Sequence, residues 1–282
     1  MSEHVKRPDL GSDLLTPRVS FLTNRQWMEP YATLEDFELQ ARQAAQSRHA
    51  RAMLMWLKCI GLLRDAFSQQ FDWSNQDDIT IQERNIRMNL LGLAGTSSKP
   101  TLDALIAGYY SPAYGMIRNL LETWRREVGL RLAPSVVLPY FEFPTESPID
   151  ADGNPRKGRN QGIPYTVMAN IFKEYANDSE REQFKVISAG IVHMHAGTHP
   201  SAEGMEQLLD KDNLVRRNYG PTYNHGLCAF GFKWGVSAQI ALLTEVQLLQ
   251  GQADSWRMDL NRLAGDFASW VSSDEAAMQD PF

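Results

Sequence analysis

The sequence predicts an all-α fold, an irregular bundle of about eight helices carrying one long Pro-rich insertion. Three observations predict it. Lys99 to Arg131 (KPTLDALIAGYYSPAYGMIRNLLETWRREVGLR) has the strongest helical apolar period in the chain. From Phe37 to Phe67 apolar residues recur at helical spacing through Ala41, Ala45, Ala52, Met55, Trp56, Cys59, Ile60 and Leu63. Between about 133 and 162 that period vanishes and five prolines appear: Pro134, Pro139, Pro144, Pro148 and Pro155.

In chain order, residues 1–31 hold Pro8, Gly11, Pro17 and Pro30 among short apolar pieces, and read as an irregular arm lying on the body. A single helical domain over 32–272 follows. Thr33 and Asp36 make a weak capping box for a first helix of nearly forty residues, about 57 Å at 1.5 Å per residue, with a bend expected near Gly61. Asp72 to Asp78 is a turn, and Ile79 to Ala94 resumes a helix that the Gly95–Pro100 stretch interrupts or restarts. Thr101 to Tyr110 and Pro112 to Arg131 are the next helical pieces. Pro112 suits a first turn, where its missing N–H costs nothing.

The 133–162 insertion is long for a compact domain, and such segments are lids, binding loops or solvated excursions. Beyond it, Pro164 to Ala176 and Ser179 to about Ala196 read as two helices, the second opened by a Ser179/Glu182 capping box. A short helix from Ser201 to Leu209, a polar turn region from Lys211 to Tyr223, a nearly apolar helix from His225 to Gln250 and an amphipathic one from Asp254 to Ser272 complete the body. Residues 273–282 form an acidic tail. Gly231 and Gly235, four apart on the apolar helix, allow close approach of a neighbouring backbone, either inside the bundle or across a homodimer seam.

The chain has 282 residues, 43% hydrophobic and 22% charged, which is an ordinary globular balance for one domain. Net charge is -6, so the whole-molecule field gives a phosphate backbone no long-range help. Cys59 and Cys228 sit in apolar helical contexts and are expected to be buried and reduced. The first fifteen residues resemble neither a secretory signal nor a transit peptide, and the best apolar run, Gly226 to Leu243, is broken by Lys233 and Gln239. A cytoplasmic protein without a membrane span is expected.

Chemistry centres on two places. With Ile117 at the middle of the apolar stripe, Leu120, Leu121, Trp124 and Val128 fall within about 60° of it, while Arg118, Glu122 and Arg125 cluster on one flank. Arg118 and Glu122 are i,i+4 neighbours, so the glutamate can orient a half-buried guanidinium toward an anion or a partner backbone. The second place is His193-Met194-His195-Ala196-Gly197-Thr198-His199-Pro200. In a helix His193 and His195 point about 200° apart and cannot share a metal, whereas His195 and His199 share a face. A divalent ion on His195 and His199, completed by Glu203 or Glu206, is one reading. A helix-end histidine set capping the last carbonyls is the other. No P-loop, Rossmann glycine pattern, nucleophile elbow or zincin motif occurs, so the residues imply no organic cofactor.

The run from Gly108 to Glu122, with Gly108, Ala113, Arg118, Leu120, Leu121 and Glu122 at its marked positions, resembles the G-x-x-x-x-A-x-x-x-x-R-x-L-L-E segment of a widespread family of bacterial all-helical proteins of unassigned function, related to HEPN-type helical domains. Ser188 with His199-Pro200-Ser201 is similar to that family's second marked region. The resemblance implies a bacterial stress or conflict system. The function expected is then a non-catalytic binding module with a pocket of Arg118, Glu122, Arg125, His193, His195, His199 and Ser201 for RNA, a nucleotide or a protein partner. The alternative is a hydrolytic enzyme, a ribonuclease or metal-dependent, working through His193, His195 and His199. HEPN-type ribonucleases use an arginine and a histidine four to six residues apart. Arg42 and His49 fit that spacing, but one such match is about what chance supplies here, and they lie away from both resembling segments. Whether the Arg118 flank meets the histidine turn some seventy-five residues later decides if the two places are one site.

Overall fold

The computed structural model describes residues 29–68, 81–141, 163–198, 209–210, 213–217, 221, 223–250, 254–273 and 276. Among them are eight α-helices: α1 (Glu29–Ser68), α2 (Ile81–Ile106), α3 (Tyr110–Leu132), α4 (Pro134–Val137), α5 (Tyr165–Tyr175), α6 (Asp178–Thr198), α7 (His225–Gln250) and α8 (Asp254–Val271). A 3-10 turn (Leu138–Tyr140) follows α4, and two short antiparallel strands, β1 (Leu209–Asp210) and β2 (Asn213–Arg217), precede α7. The fold is an all-α irregular bundle. The arm before residue 29, residues 142–162 of the insertion and all of the 273–282 tail but Ser273 and Ala276 lie outside the described residues.

The central element is α3, which packs against α2, α6 and α7. Its stripe is buried as the spacing requires: Ile117, Leu120, Leu121, Trp124 and Val128 are all within the core. Its start follows from the end of α2, where Gly108 takes φ 85°, a left-handed conformation that glycine alone adopts without a Cβ penalty. Tyr109 N–H then bonds Ala104 O (2.9 Å) and Gly108 N–H bonds Leu105 O (3.2 Å), closing a Schellman motif. Helix α2 therefore stops at Ile106, short of the expected Tyr110, and Pro112 sits in the first turn of α3 as its ring requires.

Several boundaries differ from the sequence reading, each for a local reason. Helix α1 begins at Glu29, so Thr33 and Asp36 lie inside it and do not cap it. Its departure from helical geometry falls at His49 (φ -129°, ψ 29°) instead of near Gly61, because the His49 ring is drawn to partners outside the helix. Helix α2 runs unbroken through Pro100. Around it the hydroxyls of Thr96, Ser97, Ser98 and Thr101 bond back to carbonyls three or four residues earlier, which keeps these polar side chains satisfied within the helix. The box opening α6 is made by Asn177 and Glu180, each accepting the other's backbone N–H at 2.9 Å, so Ser179 and Glu182 are not its members. Pro134 to Tyr140 is helical, which shortens the irregular insertion at its start. Leu209 belongs to β1, and much of the expected polar turn region is the strand β2.

Helix α7 is long and apolar enough to cross a membrane, but 72% of its apolar window is buried inside this protein. It lies against α1, α2, α3 and α8. Gly231 and Gly235 explain how it fits so closely: a Cβ on Gly231 would collide with Leu105 of α2, and one on Gly235 with the indole of Trp56 of α1. Both glycines serve packing within the bundle, which takes them out of the homodimer seam expected as one alternative. Cys59 and Cys228 are free and buried.

A buried ion network, unreadable as such from sequence, joins α2, α3, α6 and α7. Arg87 Nε donates to Glu127 Oε2 (3.0 Å), with Glu83 at 3.7 Å and Glu245 at 3.9 Å from its other nitrogens. Arg131 donates to both oxygens of Glu245 (2.9 and 3.2 Å) and to Glu180 (2.7 Å). Burial pushes the Glu127 carboxyl up to about 8, against the pull of Arg87, and holds Glu83 above the usual range too.

These contacts predict opposite signs for two glycine substitutions. Gly235→Ala should lower unfolding stability by about 1–3 kcal/mol through the clash with Trp56. Gly61→Ala, with nothing within 4 Å of the added carbon, should raise it by roughly 0.5–1 kcal/mol through helix propensity. Urea denaturation of the two variants checks both.

Candidate functional site

The two places singled out in the sequence meet. Arg118 projects from α3 toward the C-terminal part of α6, where its Nη1 lies 2.6 Å from His195 Nδ1, while its Nε donates to Glu122 Oε1 at 2.9 Å. Arg118 is 33% exposed and Glu122 17%, so the pair is at the surface edge of the α3/α6 seam. A guanidinium has no acceptor, so at this contact Arg118 donates and His195 Nδ1 accepts. The imidazole is then neutral there, with its proton on Nε2. Arg126 adds a second guanidinium to the other oxygen of Glu122 at 3.6 Å.

Arg125 lies two turns beyond Arg118 on the same face of α3. Its Cζ stands 5.9 Å from the ring centroid of Tyr165 on α5, and its Nε is buried with no hydrogen-bond partner among the described residues. Burial lowers its basicity, Glu122 opposing. Ser188 of α6, part of the family resemblance, likewise has a buried Oγ without a partner among the described residues. His193 leaves the group: its ring meets the edge of Phe230 on α7, while His195 reaches α3. That divergence is the one that helical geometry predicts for residues two apart, and it keeps the two imidazoles from a common ligand. His199 and Ser201 lie outside the described residues, as do Glu203 and Glu206. Among the described residues no group of three or more His, Cys, Asp or Glu side chains is placed to hold a metal ion.

A second polar cluster went unassigned in the sequence. His49, wholly buried at the break in α1, has its Nε2 3.1 Å from Tyr223 Oη, and the same phenol is 3.1 Å from His225 Nδ1. The two imidazoles stack, centroids 4.8 Å apart and planes 17° from parallel. One phenol has one proton to give, so where it donates to one ring nitrogen it accepts an N–H from the other ring, and the ring it donates to is neutral. Burial pushes the Tyr223 phenol up to about 12, so it keeps its proton. Asn224 caps α7 through Leu227 N–H (3.0 Å), and its backbone is bound to Tyr110 Oη (2.7 Å to its N–H). The cluster is thus a clamp between the α1 break and the start of α7. Arg42, the other half of the chance HEPN-like spacing, faces Glu38 at 4.0 Å. The sequence signal for the clamp was slight: Tyr-Asn-His before an apolar helix, and a lone histidine on an apolar stripe.

Comparison with protein families, with curated proteins and with solved structures finds no match, so the geometry alone carries the functional argument.

The clamp makes stability pH-dependent in a definite sense. Burial, then the charges of His225 and Arg48, lower His49 to about 4 from its usual 6.5. Between those values the unfolded chain binds the proton and the folded chain does not. The stabilisation is complete above pH 6.5 and is lost as pH falls toward 4, with a slope of at most about 1.4 kcal/mol per pH unit. In His49→Gln this component should be missing. Urea denaturation of both proteins from pH 4 to 7.5 tests it, and a stability difference that stays constant across that range contradicts the buried neutral imidazole.

Proposed function

We propose that the chain is a non-catalytic helical binding module, HEPN-like and belonging to a bacterial stress or conflict system, whose α3/α6 seam receives phosphate groups of RNA or a nucleotide. The observation that carries the reading is the double tethering of Arg118. Glu122 fixes its Nε and His195 engages its Nη1, yet a third of the side chain stays exposed. A guanidinium already held in position loses little rotamer freedom when an oxyanion arrives, and its planar donors suit phosphate.

Local charge supports the same ligand class. Arg118, Arg125 and Arg126 surround the single carboxylate of Glu122, leaving the flank net positive on a chain whose net charge is -6. The acidic remainder gives no long-range steering, so binding depends on contacts at the seam and weakens with salt. His195 lends Nδ1 to Arg118, which suits orienting the guanidinium toward an oxyanion better than activating water.

The test is fluorescence anisotropy of a labelled single-stranded RNA at low and physiological salt, with gel analysis of the same RNA for cleavage. Binding without cleavage is expected. Arg118→Ala should weaken it about tenfold to a hundredfold, the equivalent of losing a charge-assisted contact of about 1.5–3 kcal/mol. Its melting temperature should move little, since half-exposed ion pairs contribute about 0–1 kcal/mol. Absence of binding, or binding indifferent to Arg118, overturns the reading.

A further inference from the structure

The seam between α3 and α6 is fixed at two points. Arg118 meets His195 at one end and Arg131 meets Glu180 at the other, so the helices run antiparallel. Arg125 is seven residues after Arg118, and Ser188 seven before His195. Seven residues are two turns, which keeps Arg125 on the face of Arg118 and Ser188 on the face of His195. Arg125 and Ser188 therefore stand at one level of the seam, about 10.5 Å along each helix axis from the Arg118–His195 contact.

At that level two buried polar atoms, Arg125 Nε and Ser188 Oγ, have no hydrogen-bond partner among the described residues. Folded proteins seldom leave such donors unmet, and an unmet guanidinium Nε and an unmet hydroxyl at one level of two facing helices make a donor set for an oxyanion. Tyr165, 55% exposed, sits against Arg125 and supplies an aromatic ring at the same place.

We infer that Arg125 and Ser188 form a second phosphate station, so that the seam binds a short single-stranded oligonucleotide, about four nucleotides long, in preference to a mononucleotide. This rests on the phosphate-binding reading of Arg118. The interval of about 10.5 Å is wider than one phosphate, and a strand of a few nucleotides can set two of its phosphates that far apart. One phosphate cannot touch both stations, whereas the ends of a tetranucleotide can. Basic tracks with an aromatic beside them are how single strands are held without sequence reading. An acidic peptide offers carboxylates to both stations but nothing to the ring of Tyr165. The chain's net charge of -6 sets the upper length, because a strand running past the seam meets a repelling field.

The experiment titrates uridine 5′-monophosphate, tetra-uridylate, a twenty-nucleotide oligouridylate and a tetra-aspartate peptide against the intact chain. Affinity should rise at least tenfold from one nucleotide to four, change less than threefold from four to twenty, and be weakest for the peptide. Arg125→Gln and Ser188→Ala should each weaken tetra-uridylate at least fivefold while leaving the monophosphate within twofold. In Arg125→Gln the slope of log affinity against log salt should fall from about 1.4 to about 0.7. Circular dichroism melts establish that both variants are folded, and the conservative serine change guards against misfolding of the arginine variant. Equal affinity for one and four nucleotides overturns the inference, as does tighter binding of the peptide, or tetra-uridylate binding that depends on Arg118 but ignores both Arg125 and Ser188. The last result leaves the binding-module reading standing, whereas failure of every RNA to bind removes both.

Discussion

Arg87, almost without exposed surface, is an ion that the interior must match, and the match sets the geometry around it. An unpaired buried charge is too costly to keep, so α2 must hold Arg87 against Glu127 of α3 and near Glu245 of α7. Glu245 in turn is gripped by Arg131, whose remaining donor takes Glu180 of α6. One continuous set of charges thus registers four helices. With two arginines among four carboxylates, it carries an excess of negative charge when all are ionised. Burial raises Glu83 and Glu127, which are the members able to shed that excess by holding protons.

The apolar interior completes what the charges register. Trp56 of α1 lies where Gly235 leaves room, donates its indole N–H to Ser98 O of α2 (3.1 Å) and meets Phe232 of α7 edge-on. A large ring with one polar atom is buried at less cost where that atom finds an acceptor, and the proline-bearing turn of α2 provides one for Trp56. The His49 clamp solves the same problem for α1. The helix gives up its regular geometry at one residue so that a buried imidazole can reach Tyr223.

What the sequence made legible was periodic. The buried stripe of α3, the bounds of α7 and α8, the divergence of His193 from His195 and the Arg118–Glu122 pair all follow from 100° steps along one helix. What it hid was either long-range or a choice between equivalent local solutions. Glu83 and Arg87 look like an ordinary surface pair until α3 and α7 close over them, and no local pattern links Arg131 to a glutamate 114 residues away. Asn177/Glu180 and Ser179/Glu182 are equally good capping boxes on paper. Arg131 tips the choice by requiring Glu180 on the seam, while Glu182 turns outward to Lys185. A proline inside α2 was readable as a break, and only tertiary burial on both sides of it lets the helix continue.

The two ends of α3 show why one arginine is available and the other is not. Arg131 faces two carboxylates, with both oxygens of Glu245 and one of Glu180 filling its donors, so its charge is more than cancelled. Arg118 faces one carboxylate that Arg126 also shares, and its second partner is a neutral imidazole nitrogen. Both guanidiniums are oriented by their neighbours and both are partly exposed, but only the Arg118 end keeps positive charge unspent. Orientation without neutralisation is what an anion site needs. The same helix therefore serves as a structural tie at its C-terminal end and as a receptor for negative charge nearer its start, and the difference is one glutamate exchanged for one histidine across the α6 seam.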